Sequence, residues 1–314
     1  MWTSFVFACV ALWGVTSIFY KKGADRNDPY IHLKFSVITG IVFFVIAVCY
    51  LLIREEPYSI WESAARFWPM TAFGILYAIG NTVTFKGFLY NDASVVVPIE
   101  NTANGSYVMI LIVVYALLGR VDSIWEVLTP FKIVGIVCIF LGLLSIGILQ
   151  HNKAKSAENT ESFKTGATAL IFPLLFSMMD GLETVVSGVC LDKTFGFAMP
   201  EGDSVIIVGM EYAFFALLFW IYISIREKKA YNPFTKAGVP FFCGTLCDNI
   251  AIVFYSHAMA LDSVATNPIL AVYPMITVLL SRIILKEKLS VKQYLCLGLL
   301  LAGSVIIVIG QNVQ

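Results

Sequence analysis

The feature that most constrains this chain is a succession of apolar runs, each bounded by charged or turn-forming residues. A helix of about 20 apolar residues crosses the roughly 30 Å hydrocarbon core of a membrane. The runs predict ten transmembrane helices with these bounds: Trp2–Tyr20, Ile31–Ile53, Phe67–Tyr90, Val95–Leu118, Phe131–Leu149, Gly166–Cys190, Val205–Ile225, Ala237–Leu261, Ala265–Leu285 and Val291–Gly310.

The composition excludes an ordinary water-soluble domain. Hydrophobic residues make up 59% of the chain and charged residues 13%, which leaves too little polar surface to cover a soluble protein. We therefore predict an all-α, multi-pass protein of the plasma membrane that contacts membrane lipid. The 21 acids balance the 21 bases, so no nucleic-acid partner is expected. The seven cysteines lie in or beside apolar runs and are interpreted as small core residues. No metal or cofactor is predicted.

A hydrophilic linker divides the chain near its midpoint. It predicts a first five-helix repeat over residues 1–150, the linker over 151–164 and a second five-helix repeat over 165–314. Asp92, Pro98 and Ile99 of the first half recur as Asp262, Pro268 and Ile269 of the second, each trio in a helical hairpin. An odd number of spans per half turns the second half upside down, so we expect two inverted repeats, the design of alternating-access transporters.

Short motifs at the two ends of the chain resemble a known family. They are Trp13-Gly14 in the first span, Lys286-Glu287-Lys288-Leu289-Ser290 after the ninth, and Gln293, Gly298 and Gly303 in the tenth. Together with ten short-looped spans, these motifs are similar to the EamA-type branch of the drug/metabolite transporter superfamily. Lys286 stands where that family often has glycine, and the matching first-half hairpin, residues 119–122, lacks the glutamate. The resemblance implies that spans one to four and six to nine surround a central cavity.

Polar residues inside the apolar runs are the candidate site. Glu100, Asn104 and Tyr107 lie at i, i+4 and i+7, which places them on one helix face, and Asn101 lies beside them. A second set combines Asp180 and Glu183 with residues of later spans. The predicted substrate-binding residues are Trp13, Glu100, Asn101, Asn104, Tyr107, Asp180, Glu183, Asp248, Asn249, Tyr255 and Asn267.

The carboxylates indicate what the cavity binds. An unpaired charge at membrane depth costs at least about 2.5 to 3.5 kcal/mol, and Lys86 alone cannot neutralise four acids. Asp180 and Glu183 lie one turn apart and would repel each other if both were ionised, so the pair is expected to hold a proton. Asp180, Glu183, Glu100 and Glu211 are therefore the predicted proton-coupling residues. An acidic cavity also favours a cationic or zwitterionic ligand, with Trp13, Tyr107 and Tyr255 offering aromatic faces.

These features predict a secondary active transporter for an amino acid, amine or organic cation, exporting it in exchange for protons. Simpler interpretations remain open: Asn81, Asn249 and Asn267 can be interhelical hydrogen-bonding groups, and Lys86 and His257 can extend to an interface. A membrane-embedded enzyme or a receptor using the same acids is the alternative, although no catalytic motif supports an enzyme. A channel would conduct without counterflow.

The distribution of basic residues predicts the orientation. Sixteen Lys and Arg residues lie on the side that carries the loop between the first two spans, and five on the other side. Because cytoplasmic loops are enriched in Lys and Arg, this count places both termini outside. Many members of the family that the chain resembles are thought to keep their termini inside. Ten spans can enclose a cavity alone, so a monomer or a homodimer is expected.

Overall fold

The computed structural model describes residues 1–54, 58–123, 125, 128–155, 171–286 and 290–312, and its regular elements there are helices, with no strand. One 3₁₀ turn, Lys236–Gly238, precedes the tenth helix. The helices are α1 Trp2–Gly23, α2 Ile31–Ile53, α3 Ile60–Arg66, α4 Trp68–Tyr90, α5 Ala93–Glu100, α6 Thr102–Leu117, α7 Pro130–Lys155, α8 Ile171–Leu191, α9 Glu201–Arg226, α10 Val239–Leu261, α11 Ser263–Leu270, α12 Tyr273–Ile284 and α13 Val291–Asn312.

Six helical segments within the described residues are long and apolar enough to cross a membrane by length and composition. They are Trp2–Gly23, Ile31–Ile53, Ile171–Leu191, Glu201–Arg226, Lys236–Leu261 and Ser263–Ile284. The count of ten spans therefore stays a prediction. Most of the predicted linker, the start of the sixth predicted span and residues 287–289 of the C-terminal motif lie outside the described residues.

Two predicted spans are each divided into two helices. The predicted span Val95–Leu118 consists of α5 and α6, which meet at Asn101, and the span Ala265–Leu285 consists of α11 and α12, which meet at Ala271 and Val272. Each break follows an internal proline by three or four residues, Pro98 in α5 and Pro268 in α11. A proline has no N–H to donate to the carbonyl four residues earlier, and its ring crowds that carbonyl, so each of these helices lacks a hydrogen bond on the N-terminal side of its proline.

The helices pack in pairs drawn from the two halves of the chain. The most extensive contacts join α2 with α9, α1 with α10, α4 with α8 and α7 with α13. The divided helices join this arrangement because α6 packs on α8 and α12 packs on α1. One buried cluster contains aromatic rings from α1, α2, α4 and α10, and this aromatic cluster comprises Tyr20, Phe35, Phe85, Phe88 and Phe241.

Glycines allow α2 and α9 to cross closely. A Cβ on Gly209 would lie 2.6 Å from the Cβ of Ala47 and 3.0 Å from the carbonyl oxygen of Phe43. A Cβ on Gly40 would collide with the Cβ of Ala216 and the carbonyl oxygen of Tyr212. Each glycine therefore fits against the backbone of the opposite helix because it has no side chain.

Candidate functional site

Three side chains near the middle of their helices separate two small cavities. Trp13 on α1, Tyr77 on α4 and Asp180 on α8 line both cavities, and we call them the dividing layer. Cavity one lies towards the loop between α1 and α2, and cavity two lies towards the loop between α2 and α3. Helices from both halves of the chain therefore build two adjoining cavities on opposite sides of one layer.

Cavity one has a volume of about 70 Å³, enough for a few water molecules. The aromatic cluster supplies most of its wall towards the loop between α1 and α2. Its lining contains three acids and no Lys, Arg or His: Trp13, Thr16, Ser17, Tyr20, Phe35, Tyr77, Asn81, Thr84, Phe85, Phe88, Glu100, Phe176, Asp180, Asp248 and Tyr273.

Asp248 is fixed by two aromatic donors of α1. The indole Nε1–H of Trp13 donates to its Oδ1 at 2.9 Å, and the hydroxyl of Tyr20 donates to its Oδ2 at 2.8 Å. Donors to both oxygens stabilise an ionised carboxylate and fix its orientation. The Trp13 ring also lies 5.7 Å from the Tyr255 ring and 5.8 Å from the Tyr273 ring, measured between centroids. Asp248 is thus a positioned acid among aromatic faces.

Glu100 is the last residue of α5, directly before the break at Asn101. Its side chain is buried and accepts a hydrogen bond from the hydroxyl of Thr84 on α4. The break ends the helix at the cavity wall and so brings this carboxylate into cavity one. Asn101 is fully buried beside it but does not line either cavity.

Cavity two has a volume of about 40 Å³ and its own acid, Glu183. The Glu183 carboxylate is buried and accepts a hydrogen bond from Ser187, one turn later on α8. Its polar wall is completed by Thr184, Ser204, Tyr255, Ser256 and Asn267. Asp180 and Glu183 were expected to act as one pair; in the structure Asp180 lines both cavities, whereas Glu183 lines only the second.

Two other predicted residues, Tyr107 and Asn249, contribute to packing between helices. Tyr107 lies against Gly181 of α8 and donates to the carbonyl of Met178 at 3.4 Å. Asn249 is fully buried and donates to the carbonyl of Thr39 on α2 at 3.4 Å. The side chain of Asn104 lies outside the described part of the structure. Neither Tyr107 nor Asn249 lines either of the two cavities.

Glu211 occupies a position behind the wall of cavity two. Its carboxyl group packs against Gly74 of α4, which lines that cavity. Both carboxyl oxygens are buried, and neither has a hydrogen-bond partner among the described residues. Lys86, the basic residue considered as a partner for the acids, instead holds its Nζ 5.5 Å from the centroid of the Phe172 ring.

Four acids of the site have no ion-pair partner among the described residues. Glu100, Glu183, Glu211 and Asp248 have no Lys or Arg nitrogen within 4 Å there, and the ion pairs lie near helix ends. Among the residues searched, no group of three or more His, Cys, Asp or Glu side chains could hold a metal ion. A positively charged group in either cavity would therefore be attracted to these acids, both through hydrogen bonds and through their electric field.

Sequence reasoning missed five polar residues of cavity one on α1 and α4: Thr16, Ser17, Tyr20, Tyr77 and Thr84. Thr16, Ser17 and Tyr20 follow Trp13 at i+3, i+4 and i+7, so they continue its face along α1. This periodicity was the signal that could have identified them. Tyr77 lies one turn before Asn81 on α4, and the same spacing predicts that both face one cavity.

Comparison with known proteins gives a family match for the second half of the chain. Residues 167–309 match the model of the EamA-like transporter family. The whole chain also matches a solved structure described only as "Crystal structure of protein", with a TM-score of 0.63 and 14% identity, covering 100% of this chain and 98% of that one. At this identity the likeness shows the fold alone. No curated protein matches the chain.

The match confirms the predicted resemblance over the half of the chain that contains the C-terminal motif, while Trp13-Gly14 lies outside the matched residues, and it indicates a membrane transporter of the drug/metabolite type. It fits a transporter rather than an enzyme. Residues 167–309 are thus similar to the EamA-like transporter family, and this similarity together with the apolar helices of the described structure indicates a multi-pass membrane protein.

Proposed function

We propose that the protein is a secondary active transporter that exports a small amine, amino acid or amphipathic cation in exchange for protons. The observation that carries this proposal is the pair of acidic cavities on opposite sides of the dividing layer. Neither lining contains a basic residue, so a positively charged group is the ligand that balances their charge. Asp248, held by Trp13 and Tyr20, is the anchor for that group.

Alternating access requires two similar halves of opposite orientation, and the helix contacts support such an inverted repeat. The same interval of 169 residues separates Gly40 from Gly209, Phe43 from Tyr212 and Ala47 from Ala216. The contacts that Gly40 makes with residues 212 and 216 are therefore repeated by Gly209 with residues 43 and 47. A twofold axis in the membrane plane between α2 and α9 would relate these two sets of contacts.

The remaining helix pairs show the same symmetry between the two halves of the chain. If α1, α2, α4 and α5–α6 correspond to α8, α9, α10 and α11–α12, then the contact of α1 with α10 is equivalent to that of α8 with α4. The contact of α1 with α12 is likewise equivalent to that of α8 with α6. These correspondences support ten spans in two inverted units, with the dividing layer near the axis.

The proposed cycle moves the substrate across the dividing layer. Cavities of about 70 and 40 Å³ are too small for an amino acid with its hydration shell, so one cavity must widen while the other stays narrow. The proton-coupling residues proposed here are Asp180, Glu183, Glu100 and Glu211. Proton release from these acids restores the negative charge that the next cationic substrate neutralises.

Counterflow into proteoliposomes tests the proposal. Purified protein should exchange a labelled amine or cationic amino acid saturably, and an imposed pH gradient should drive its accumulation. Asp248→Asn should reduce exchange at least about tenfold, since a charged hydrogen-bonded contact is worth about 1.5 to 3 kcal/mol. The matched control is Glu62→Gln, which changes an exposed acid on α3.

Three outcomes would contradict the proposal in different ways. Exchange that is insensitive to the pH gradient would exclude proton coupling, while the assignment as a transporter would stand. Ion conduction without counterflow would indicate a channel. Metal-dependent turnover of a substrate by the purified protein would favour the alternative, a membrane-embedded enzyme.

A further inference from the structure

Glu211 differs from the other acids in having no hydrogen bond to either oxygen. Glu100 accepts from Thr84, Glu183 accepts from Ser187, and Asp248 accepts from two donors. The Glu211 side chain is 9% exposed, and within the described structure both of its oxygens are buried without a partner. An ionised carboxylate in that state is unfavourable at membrane depth, because neither water nor a donor stabilises its charge.

The position of Glu211 links it to cavity two. Ser204 and Val208 line that cavity, and Glu211 continues their face of α9 at i+7 and i+3. Its carboxyl group is separated from the cavity by Gly74 of α4. A Cβ on Gly74 would collide with Oε2 of Glu211 and lie 3.0 Å from its Cδ. The carboxyl group therefore occupies the space that a larger residue on α4 would need.

The groups that neighbouring helices present around Glu211 include no base. Glu183 on α8 is the charged group whose field reaches it, and it is also negative. Helix α4 presents Gly74 and Tyr77, and α10 presents Asp248, whose field reaches the adjacent Tyr212. On α2 the apolar ring of Phe43 packs against the adjacent Tyr212, and Ser63 of α3 contacts α9 at Asp203.

We propose that Glu211 carries the coupled proton and that its protonation holds α4 against α9, closing cavity two. This inference rests on the proposed function and specifies which acid links proton movement to helix movement. With its proton, the carboxyl group is neutral and can stay buried against Gly74. On ionisation the O–H bond breaks and the proton passes to a water molecule of cavity two.

The carboxylate left behind requires hydration. Gly74 lines cavity two and covers the carboxyl group, so water from that cavity can reach it past Gly74. Ionisation therefore favours separation of α4 from α9, which widens cavity two on the side of the loop between α2 and α3. Reprotonation removes the need for water and allows the helices to close again.

Infrared spectroscopy of the reconstituted protein tests the proton itself. At neutral pH the wild type should show a carboxylic-acid carbonyl band that is lost in Glu211→Gln. Glu211→Asp keeps a titratable group at this position and should retain such a band. An unchanged spectrum in Glu211→Gln would overturn the inference. This measurement does not involve transport, so its outcome does not depend on whether the proposed function is correct.

The pH profile of counterflow tests the coupling. The exchange rate of the wild type should change with pH, and Glu211→Gln should lose this dependence, whereas Glu211→Asp and the exposed control Glu62→Gln should retain it. A wild-type pH profile in Glu211→Gln would show that Glu211 does not carry the coupled proton. If Glu211→Gln does not fold, a pH-independent Glu211→Asp would overturn the inference equally.

Discussion

At the scale of single residues, the site depends on hydrogen bonds that orient acids without neutralising them. Trp13 and Tyr20 donate to both oxygens of Asp248, and Thr84 donates to Glu100. These donors are neutral, so the charge of each acid stays available to a ligand. A lysine in the same place would form an ion pair and remove the attraction for a cation.

Removal of the Tyr20 hydroxyl should therefore weaken substrate binding. In Tyr20→Phe, Asp248 keeps only the Trp13 donor, and the loss of one hydrogen bond to a charged group costs about 1.5 kcal/mol, or about tenfold in Kd. Binding of the exported amine to detergent-solubilised protein, measured by calorimetry, checks this value. Tyr222→Phe, on an exposed ring of α9, is the matched control. Equal affinities in both variants would exclude Tyr20 as a positioning residue.

At the scale of helices, the sequence predicted which segments are apolar but not where two of them divide. Pro98 and Pro268 were recognised, but a proline weakens a helix on its N-terminal side, whereas each break lies three or four residues after the proline. Asp180, Asp248 and Glu100 lie on three different helices and line one cavity in the structure. That Asp180 lines both cavities while Glu183 lines only the second was not predictable, since it depends on how α8 packs between α4 and α6.

The crossing of α2 and α9 gives a prediction at this scale. Gly209→Ala places a Cβ 2.6 Å from that of Ala47, and the resulting overpacking should destabilise the protein by about 1 to 3 kcal/mol. If the halves are related by a twofold axis, Gly40→Ala should cost a similar amount. Thermal unfolding in detergent, followed by tryptophan fluorescence, measures both.

The matched control for the glycine pair is Gly298→Ala on α13, where no atom lies within 4 Å of the added Cβ. Alanine is favoured over glycine in a helix by up to about 1 kcal/mol, so this variant should be neutral or more stable. A large cost for Gly209→Ala together with a neutral Gly40→Ala would argue against equivalent crossings and so against the inverted repeat.

At the scale of the whole molecule, α2 and α9 are joined at both ends. Lys34 lies 2.5 Å from Glu227 at one end, and Arg54 lies 2.5 Å from Asp203 at the other, measured between nitrogen and oxygen atoms. The glycine crossing holds the middle of the pair. Because both ends and the centre are in contact, α2 and α9 are suited to stay together while other helices move around them.

The α1 and α4 helices have a contact that can open. Lys21 at the end of α1 donates from Nζ to the carbonyl of Phe88 at 2.8 Å and to that of Asn91 at 2.6 Å. These bonds join the two helix ends beside cavity one, on the side of the loop between α1 and α2. If cavity one admits substrate from that side, these hydrogen bonds must break in every cycle.

Disulfide cross-links distinguish the stable pair from the moving one. In a background without the seven native cysteines, oxidation of Lys21→Cys/Asn91→Cys should stop counterflow and reduction should restore it, because the bond holds cavity one closed. The matched pair Arg54→Cys/Asp203→Cys joins α2 to α9 and should continue to transport when oxidised. Transport by both oxidised pairs would mean that α1 and α4 do not separate. Arrest by the second pair alone would place the movement between α2 and α9, and the inverted halves would then rock at their central crossing.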